Sequence, residues 1–335
     1  MQSALTSRAA ESDHTASPGQ AIEIISLSHR YGDREALRDV SFSLNSAEIF
    51  GLLGPNGSGK TTLFRILSTL MLPSSGQALV CGIDAAREPQ RVRQHIGVVF
   101  QAQSVDAKLT AAENLWHQGH LYGLRGPALC DRIREMLGRV GLSERANDRV
   151  ETFSGGMQRR VELAKGLMHR PAVLLLDEPT TGLDPGARID LWRYLKVLRD
   201  EEGVSVLITT HLMEEAERCD RLAILNDGQL VALGAPAELK SAIGGDVIVL
   251  ESSNPESLSE QIYAHFGLKA RLIEGKLRLE KANGHRFSTE LLEAFPREIE
   301  AISVSKPSLE DVFVNRTGHR FWSETQGNAA SAPYN

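Results

Sequence analysis

Apolar positions first come in short β-type runs, Ile22-Glu23-Ile24-Ile25 and then Val40-Ser41-Phe42-Ser43-Leu44. Glu48 to Leu53 is more continuously apolar and reads as a buried strand, and the Gly-rich turn after it opens a helix running through Leu70. Strand-like runs follow at Gln77 to Cys81 and at Gly97 to Phe100. Leu109 to Arg170 is mostly helical in pattern, with Leu115, Leu121 and Leu124 near a helical period and breaks at Gly123, Gly126-Pro127 and Gly141. Ala172 to Leu176 is a short apolar run bounded by Pro171 and Pro179, which suits a parallel strand buried on both faces. A helix from Gly186 to Glu201 leads into a further strand, Val204 to Thr209. Strand and helix alternate, so the pattern predicts an α/β domain with a mainly parallel sheet.

The pattern changes near Gly234-Ala235-Pro236. Beyond it the runs Asp246–Glu251, Leu258–Phe266, Ala270–Glu274, Lys276–Glu280, Phe287–Phe295 and Glu298–Val304 read as β-α-β-β-α-β, the order of the split β-α-β motif. The expected organisation is an α/β domain over residues 21–240, with a helical subdomain at about 104–170, then a small C-terminal α+β domain over 245–320. Polar, Ser- and Ala-rich stretches at 1–20 and 323–335 read as disordered tails. Met1 to Gln20 has no apolar stretch of the kind a signal peptide needs.

Composition narrows the function. The 335 residues are 41% apolar, enough for a sizeable core, and carry a net charge of −6 with acids and bases mixed along the chain. No basic block argues for nucleic acid as a partner. Apolar runs such as Ala172 to Leu176 are far too short to span a bilayer, so any membrane role falls to a partner protein. The three cysteines, Cys81, Cys130 and Cys219, are widely separated and form neither a disulfide framework nor a metal pair. They read as thiols in a reducing compartment.

Three motifs carry chemistry. Gly54-Pro55-Asn56-Gly57-Ser58-Gly59-Lys60-Thr61 fits G-x-x-x-x-G-K-[ST] between a strand and a helix, the context that motif requires. Its backbone N–H groups can wrap a phosphate, Lys60 can neutralise the β- and γ-phosphates, and the Thr61 hydroxyl can ligate Mg²⁺. Leu174-Leu175-Leu176-Asp177 brings a carboxylate to the C-terminal end of a strand, the edge where α/β sheets bind ligands. Asp177 there suits Mg²⁺, directly or through water, and Glu178 can polarise an attacking water. Ser154-Gly155-Gly156-Met157-Gln158 makes a second anion-binding helix start. One triphosphate is already held by the Lys60 loop, so the second clamp is best explained by the nucleotide of another subunit.

With these motifs the chain resembles an ABC ATPase, and Ser154 to Gln158 matches that family's signature. The resemblance covers roughly Ile22 to Leu239 and implies a P-loop NTPase cassette that binds and hydrolyses ATP with Mg²⁺. It implies that Tyr31 stacks on adenine, that Gln101 senses Mg²⁺ and touches the membrane partner, and that His211 contacts the γ-phosphate. Thr62 joins the phosphate-binding residues, and Thr181-Gly182-Leu183-Asp184 is similar to the loop that meets the opposite subunit. The implied catalytic set is Glu178, His211 and Lys60; the implied metal set is Thr61, Gln101 and Asp177. The family usually has Leu before the signature serine, and Phe153 stands there instead.

Pro307 to Phe313, followed by Thr317-Gly318, and the segment Leu109 to Leu115 resemble the daunorubicin-resistance and nodulation-factor export ATPases. That narrower resemblance implies an exporter whose ATP-binding subunits pair head to tail at the cytoplasmic face of the cell membrane. Its permease would be a separate polytopic membrane protein. It leaves the substrate, and the choice between two identical chains and a paired homologue, open. Two other readings stand beside it: an ABC ATPase acting on ribosomes or DNA, and a binding module that has lost hydrolysis. The compact interval from Lys60 to Ser154 argues against the first, and the presence of Lys60, Asp177, Glu178 and His211 against the second.

Overall fold

The computed structural model describes residues 19–321. The tails expected at 1–20 and 323–335 lie outside the described residues, except for Gly19 and for Gln20, which already begins the first strand.

In chain order the first half comprises β1 (Gln20–Tyr31), β2 (Arg34–Asn45), β3 (Ile49–Leu53), α1 (Lys60–Leu67), β4 (Ser75–Val80), β5 (Ile83–Asp84), α2 (Pro89–His95) and β6 (Ile96–Val99). Three helices follow, α3 (Ala111–Leu121), α4 (Gly126–Arg139) and α5 (Gly155–Gly166). Then come β7 (Val173–Asp177), α6 (Pro185–Glu202), β8 (Ser205–Thr210), α7 (Met213–Ala216), β9 (Arg221–Asn226), β10 (Gln229–Gly234) and α8 (Pro236–Ser241). The last stretch holds β11 (Asp246–Glu251), α9 (Pro255–Phe266), β12 (Arg271–Ile273), β13 (Lys276–Lys281), α10 (Gly284–Ala294), β14 (Ala301–Ser305) and α11 (Leu309–Thr317).

The central sheet runs β10-β9-β3-β8-β7-β6 and is parallel except for β10. Its strands β3, β7 and β8 are buried at every position, as continuous apolar runs covered on both faces must be. The strand period of two splits each run between the faces. Phe50, Leu52, Val173, Leu175 and Leu207 join one core with α1 and an antiparallel sheet of order β2-β1-β4-β5. Ile49, Leu174, Leu176, Val206 and Ile208 join the other with α3 to α6.

Sequence patterning missed β9 and β10, which pair as a hairpin at the edge next to β3. It also carried α1 too far: the helix stops at Leu67, and Thr69 has a φ of 61°, which no helix continues through.

The C-terminal strands pair antiparallel in the order β12-β13-β11-β14, with α9 and α10 packed on one face. This is the strand order of the split β-α-β motif. The last helix does not stay with that sheet alone. Ser308 and Asp311 form a capping box at the start of α11, and its Leu309, Val312 and Phe313 bury with Leu53, Leu222 and Ile224 of the central sheet.

Candidate active site

The turn after β3 places Lys60 as the first residue of α1. Two of its glycines leave no room for a side chain. A Cβ at Gly54 would lie 2.4 Å from Ser58 Oγ and 2.5 Å from Leu225 O; Gly59 has a φ of 105°, and Ala36 O would stand 2.6 Å from its Cβ. No side chain caps α1, so its first N–H groups remain available to an anion. Lys60 is buried and folds over the loop, its Nζ donating to Gly54 O at 2.6 Å and Pro55 O at 2.9 Å. Burial lowers the ammonium pKa, while Glu178 and Asp177 pull it back up. The Ser58 hydroxyl is buried in the same loop with no hydrogen-bond partner among the described residues.

Asp177 ends β7 and accepts a hydrogen bond from Thr209 Oγ1 of β8 at 2.6 Å. Burial pushes its carboxyl pKa up, against the pull of that hydrogen bond. Glu178 follows with a φ of 43°, a left-handed conformation that non-glycine residues adopt only where neighbours enforce it. Thr209 enforces it: Glu178 N–H donates to Thr209 O at 3.2 Å and to Thr209 Oγ1 at 3.0 Å. The Glu178 carboxylate is met by Gln101 Nε2 and Thr181 Oγ1, each 3.4 Å from Oε2, and by His211 Nδ1, 3.0 Å from Oε1.

These groups line one cleft of about 390 Å³. Asn56, Gly57, Gly59, Lys60, Thr61 and Thr62 form one side of it, and Gln101, Glu178, Thr181 and His211 another. Tyr31, Arg34 and Ala36, from the turn of the β1–β2 hairpin, complete it. Tyr31 is 43% exposed, with its hydroxyl donating to Met71 Sδ at 3.1 Å and the His29 ring edge-on at 4.7 Å, so part of its aromatic surface remains for a flat ligand.

The remaining expected residues lie elsewhere. Gly54, Pro55 and Ser58 form the loop behind the cleft lining, and Asp177 is buried behind it as well. Ser154, Gly155 and Gly156 are not in this cleft. Ser154 caps α5, accepting from Met157 N–H at 3.3 Å, and Gly156 lines a separate cleft with Leu183 and Ala187. Within one chain, then, two of the three motifs come together and the third stands apart.

Sequence reading missed Arg34, Thr209 and Arg159. Arg34 approaches the glycine-rich loop, its Nη2 lying 3.3 Å from where a Cβ on Gly57 would be. Its sequence signal is only its place three residues after Tyr31. Thr209 is the penultimate residue of β8 and belongs to no motif, and Arg159 looks like one charged residue among several on a helix.

The ABC transporter family profile matches residues 37–181. A daunorubicin resistance ATP-binding protein of Streptomyces coeruleorubidus is 36% identical over 318 residues, covering 90% of this chain and 96% of its own length. A Nod factor export ATP-binding protein of Burkholderia lata is 41% identical over 249 residues, covering 74% of this chain and 82% of its own. Among solved structures, a dimeric ATP-binding cassette in a post-hydrolysis state with ADP and Pi aligns with a TM-score of 0.59 and 28% identity, covering 64% of this chain and 98% of the other.

The chain belongs to the ABC transporter ATP-binding proteins. It is the ATP-hydrolysing, nucleotide-binding subunit of such a transporter, and subunits of this kind dimerise and work with a membrane permease. Among the described residues no helix is long and apolar enough to cross a membrane.

Proposed function

We propose that two such chains pair head to tail with two ATP molecules between them and drive an exporter from the cytoplasmic face of the cell membrane. The single observation that supports the pairing is the separation of motifs: the serine-glycine start of α5 lies outside the cleft that gathers Lys60, Glu178 and His211. Each ATP is then held by Gly54 to Thr62 of one chain and by Ser154, Gly155 and Gly156 of the other. Binding favours the paired state because only that state offers both half-sites.

In this reading Tyr31 stacks on the adenine, Lys60 neutralises the β- and γ-phosphates, and the uncapped start of α1 donates N–H groups to them. Glu178 orients and polarises the attacking water, and His211, held beside its carboxylate, contacts the γ-phosphate. Once the γ-phosphate is cleaved the bridge to the second chain is lost and the pair opens.

Thr61, Gln101 and Asp177 would hold Mg²⁺. Their donor set is oxygen throughout and carries one carboxylate, which suits a hard cation that is bound largely through phosphate and water. Held there, Mg²⁺ would supply positive charge to offset the phosphates.

The direction of transport rests on the relatives named for daunorubicin resistance and for Nod factor export. A separate polytopic permease would dock near Gln101 and the helices that follow it. The test is affinity purification of the Glu178→Gln chain with ATP from gently solubilised membranes, followed by mass spectrometry. A stoichiometric polytopic membrane protein is the expected companion; repeated recovery of ribosomal proteins, nucleic acid or the chain alone would defeat the exporter reading.

A further inference from the structure

Helix α5 buries an arginine and a glutamate one turn apart, Arg159 at 7% exposure and Glu162 at 2%. Charges this deep persist only when paired and hydrogen-bonded throughout. The two face each other, Nη1 to Oε2, at 2.7 Å. Everything else they reach among the described residues is main chain of two loops. Arg159 Nη1 donates also to Phe100 O at 2.7 Å, Nε to Pro179 O at 2.8 Å, and Nη2 to Glu178 O at 3.4 Å. Glu162 Oε1 accepts from Ser104 N–H at 2.6 Å. Neighbouring positions of the helix add to the grip: Gln103 Nε2 donates to Gln158 Oε1 at 2.6 Å, and Lys165 Nζ donates to Ser104 O.

The choice of carbonyls matters. Phe100 immediately precedes Gln101, and Glu178 is the residue whose carboxylate Gln101 meets at 3.4 Å. One guanidinium therefore holds the peptides from which both side chains project. The left-handed backbone of Glu178 is secured on both sides, its N–H by Thr209 and its carbonyl by Arg159. The same α5 starts at Ser154.

We infer that Arg159 and Glu162 are a positioning pair that couples the Ser154 end of α5 to Gln101 and Glu178 of the same chain. A nucleotide seated on the start of α5 then sets the geometry of the carboxylate and the glutamine in that chain's own cleft, so each ATP site reports on the other. This rests on the reading of Ser154 to Gly156 as the half-site for the second chain's ATP. Arg159 lines no part of the Lys60 cleft among the described residues, though it lines the separate cleft beside Gly156, so it reaches the Lys60 cleft through the peptides it holds. A lysine cannot take its place, because a single ammonium lacks the planar fork that serves several acceptors at once.

The test uses the full-length chain in two forms, Arg159→Lys and the double variant Arg159→Met/Glu162→Met, in which both buried charges leave together and neither is stranded. Steady-state kcat and KM, equilibrium binding of a fluorescent ATP analogue and thermal unfolding are measured for each. We expect kcat to fall roughly ten- to a hundred-fold, as small misplacements of reacting groups do. Analogue affinity should stay within about twofold, the signature of an interaction felt only in the transition state. Wild-type kcat in a folded variant overturns the inference, as does a loss of analogue affinity that matches the loss of kcat. If the double variant does not fold, Arg159→Lys decides. Glu178→Gln is run beside them: full turnover there defeats the site reading itself, whereas an inactive Glu178→Gln beside active Arg159 variants removes only the coupling.

Discussion

Glu178 and His211 leave the ends of adjacent parallel strands and face each other, with the imidazole Nδ1 3.0 Å from the carboxylate Oε1. Neither reaches this position by strand geometry alone. Glu178 turns through a left-handed φ, and His211 is the first residue past the end of β8. Replacing Glu178 by Gln preserves the shape and removes the charge. Phosphate release is expected to fall by about 10² to 10⁴, the usual worth of a positioned acid or base, while ATP stays bound and the chain elutes as a dimer. Phosphate release and size-exclusion chromatography with ATP check this; wild-type turnover would refute the role given to Glu178.

Lys60→Ala removes a buried ammonium that now rests on two carbonyls of its own loop. Charge-assisted hydrogen bonds contribute about 1.5–3 kcal/mol each, so ATP affinity should drop roughly ten- to a hundred-fold. Equilibrium titration with a fluorescent nucleotide measures it. Unchanged affinity would mean that the lysine does not serve phosphate.

The composite site makes a sharper prediction. Lys60→Ala and Ser154→Arg should each abolish ATPase when every chain carries the same change. Mixed in one preparation, they should restore activity, because one site of the mixed dimer then joins an intact Lys60 loop to an intact Ser154. Absence of restoration, with mixed dimers verified by two affinity tags, would place both motifs' work within a single chain.

The residues that the structure gathers in the Lys60 cleft were largely legible because they lie where short motifs meet strand ends. A glycine-rich turn between an apolar run and a helix permits few readings, and a carboxylate ending a wholly buried strand points to the ligand-binding edge of a sheet. The hairpin β9–β10 was harder to read. Arg221 to Asn226 is a four-residue apolar core between an arginine and an asparagine, and turn residues Asp227 and Gly228 separate it from a second, mixed run. Arg159 left no sequence signal. Its partners are backbone carbonyls of residues 100, 178 and 179, brought together only by the fold.

Asp246 links stability of the C-terminal sheet to pH. Its carboxylate accepts from Lys306 Nζ at 2.7 Å and from Gly284 N–H at 2.9 Å, and these bonds hold its pKa below the ordinary value. A depressed folded-state pKa contributes stability above the unfolded carboxylate value of about 3.9 and loses it as pH falls through the folded value. Asp246→Asn should therefore unfold at lower temperature than the parent at neutral pH, and the gap should narrow on acidification. Thermal unfolding scans between about pH 3 and 7 test it, and a gap independent of pH would disprove the linkage.

Phe313 is fully buried where α11 meets the central sheet. Phe313→Ala should cost about 3–5 kcal/mol at that seam, the usual range for deleting a buried aromatic ring. Limited proteolysis should then release the C-terminal part more readily, with calorimetry showing an earlier transition. Equal protease resistance in the variant would contradict the packing argument.

That seam also bears on how the protein is made. Leu53 runs directly into the glycine-rich turn before Lys60, and it shares its core with Ile224 and Phe313, far downstream in the sequence. During synthesis every nucleotide motif leaves the ribosome before the residues that back the turn. A message truncated ahead of α11 would yield a chain carrying all the recognisable motifs while the wall behind its phosphate loop was still unfinished.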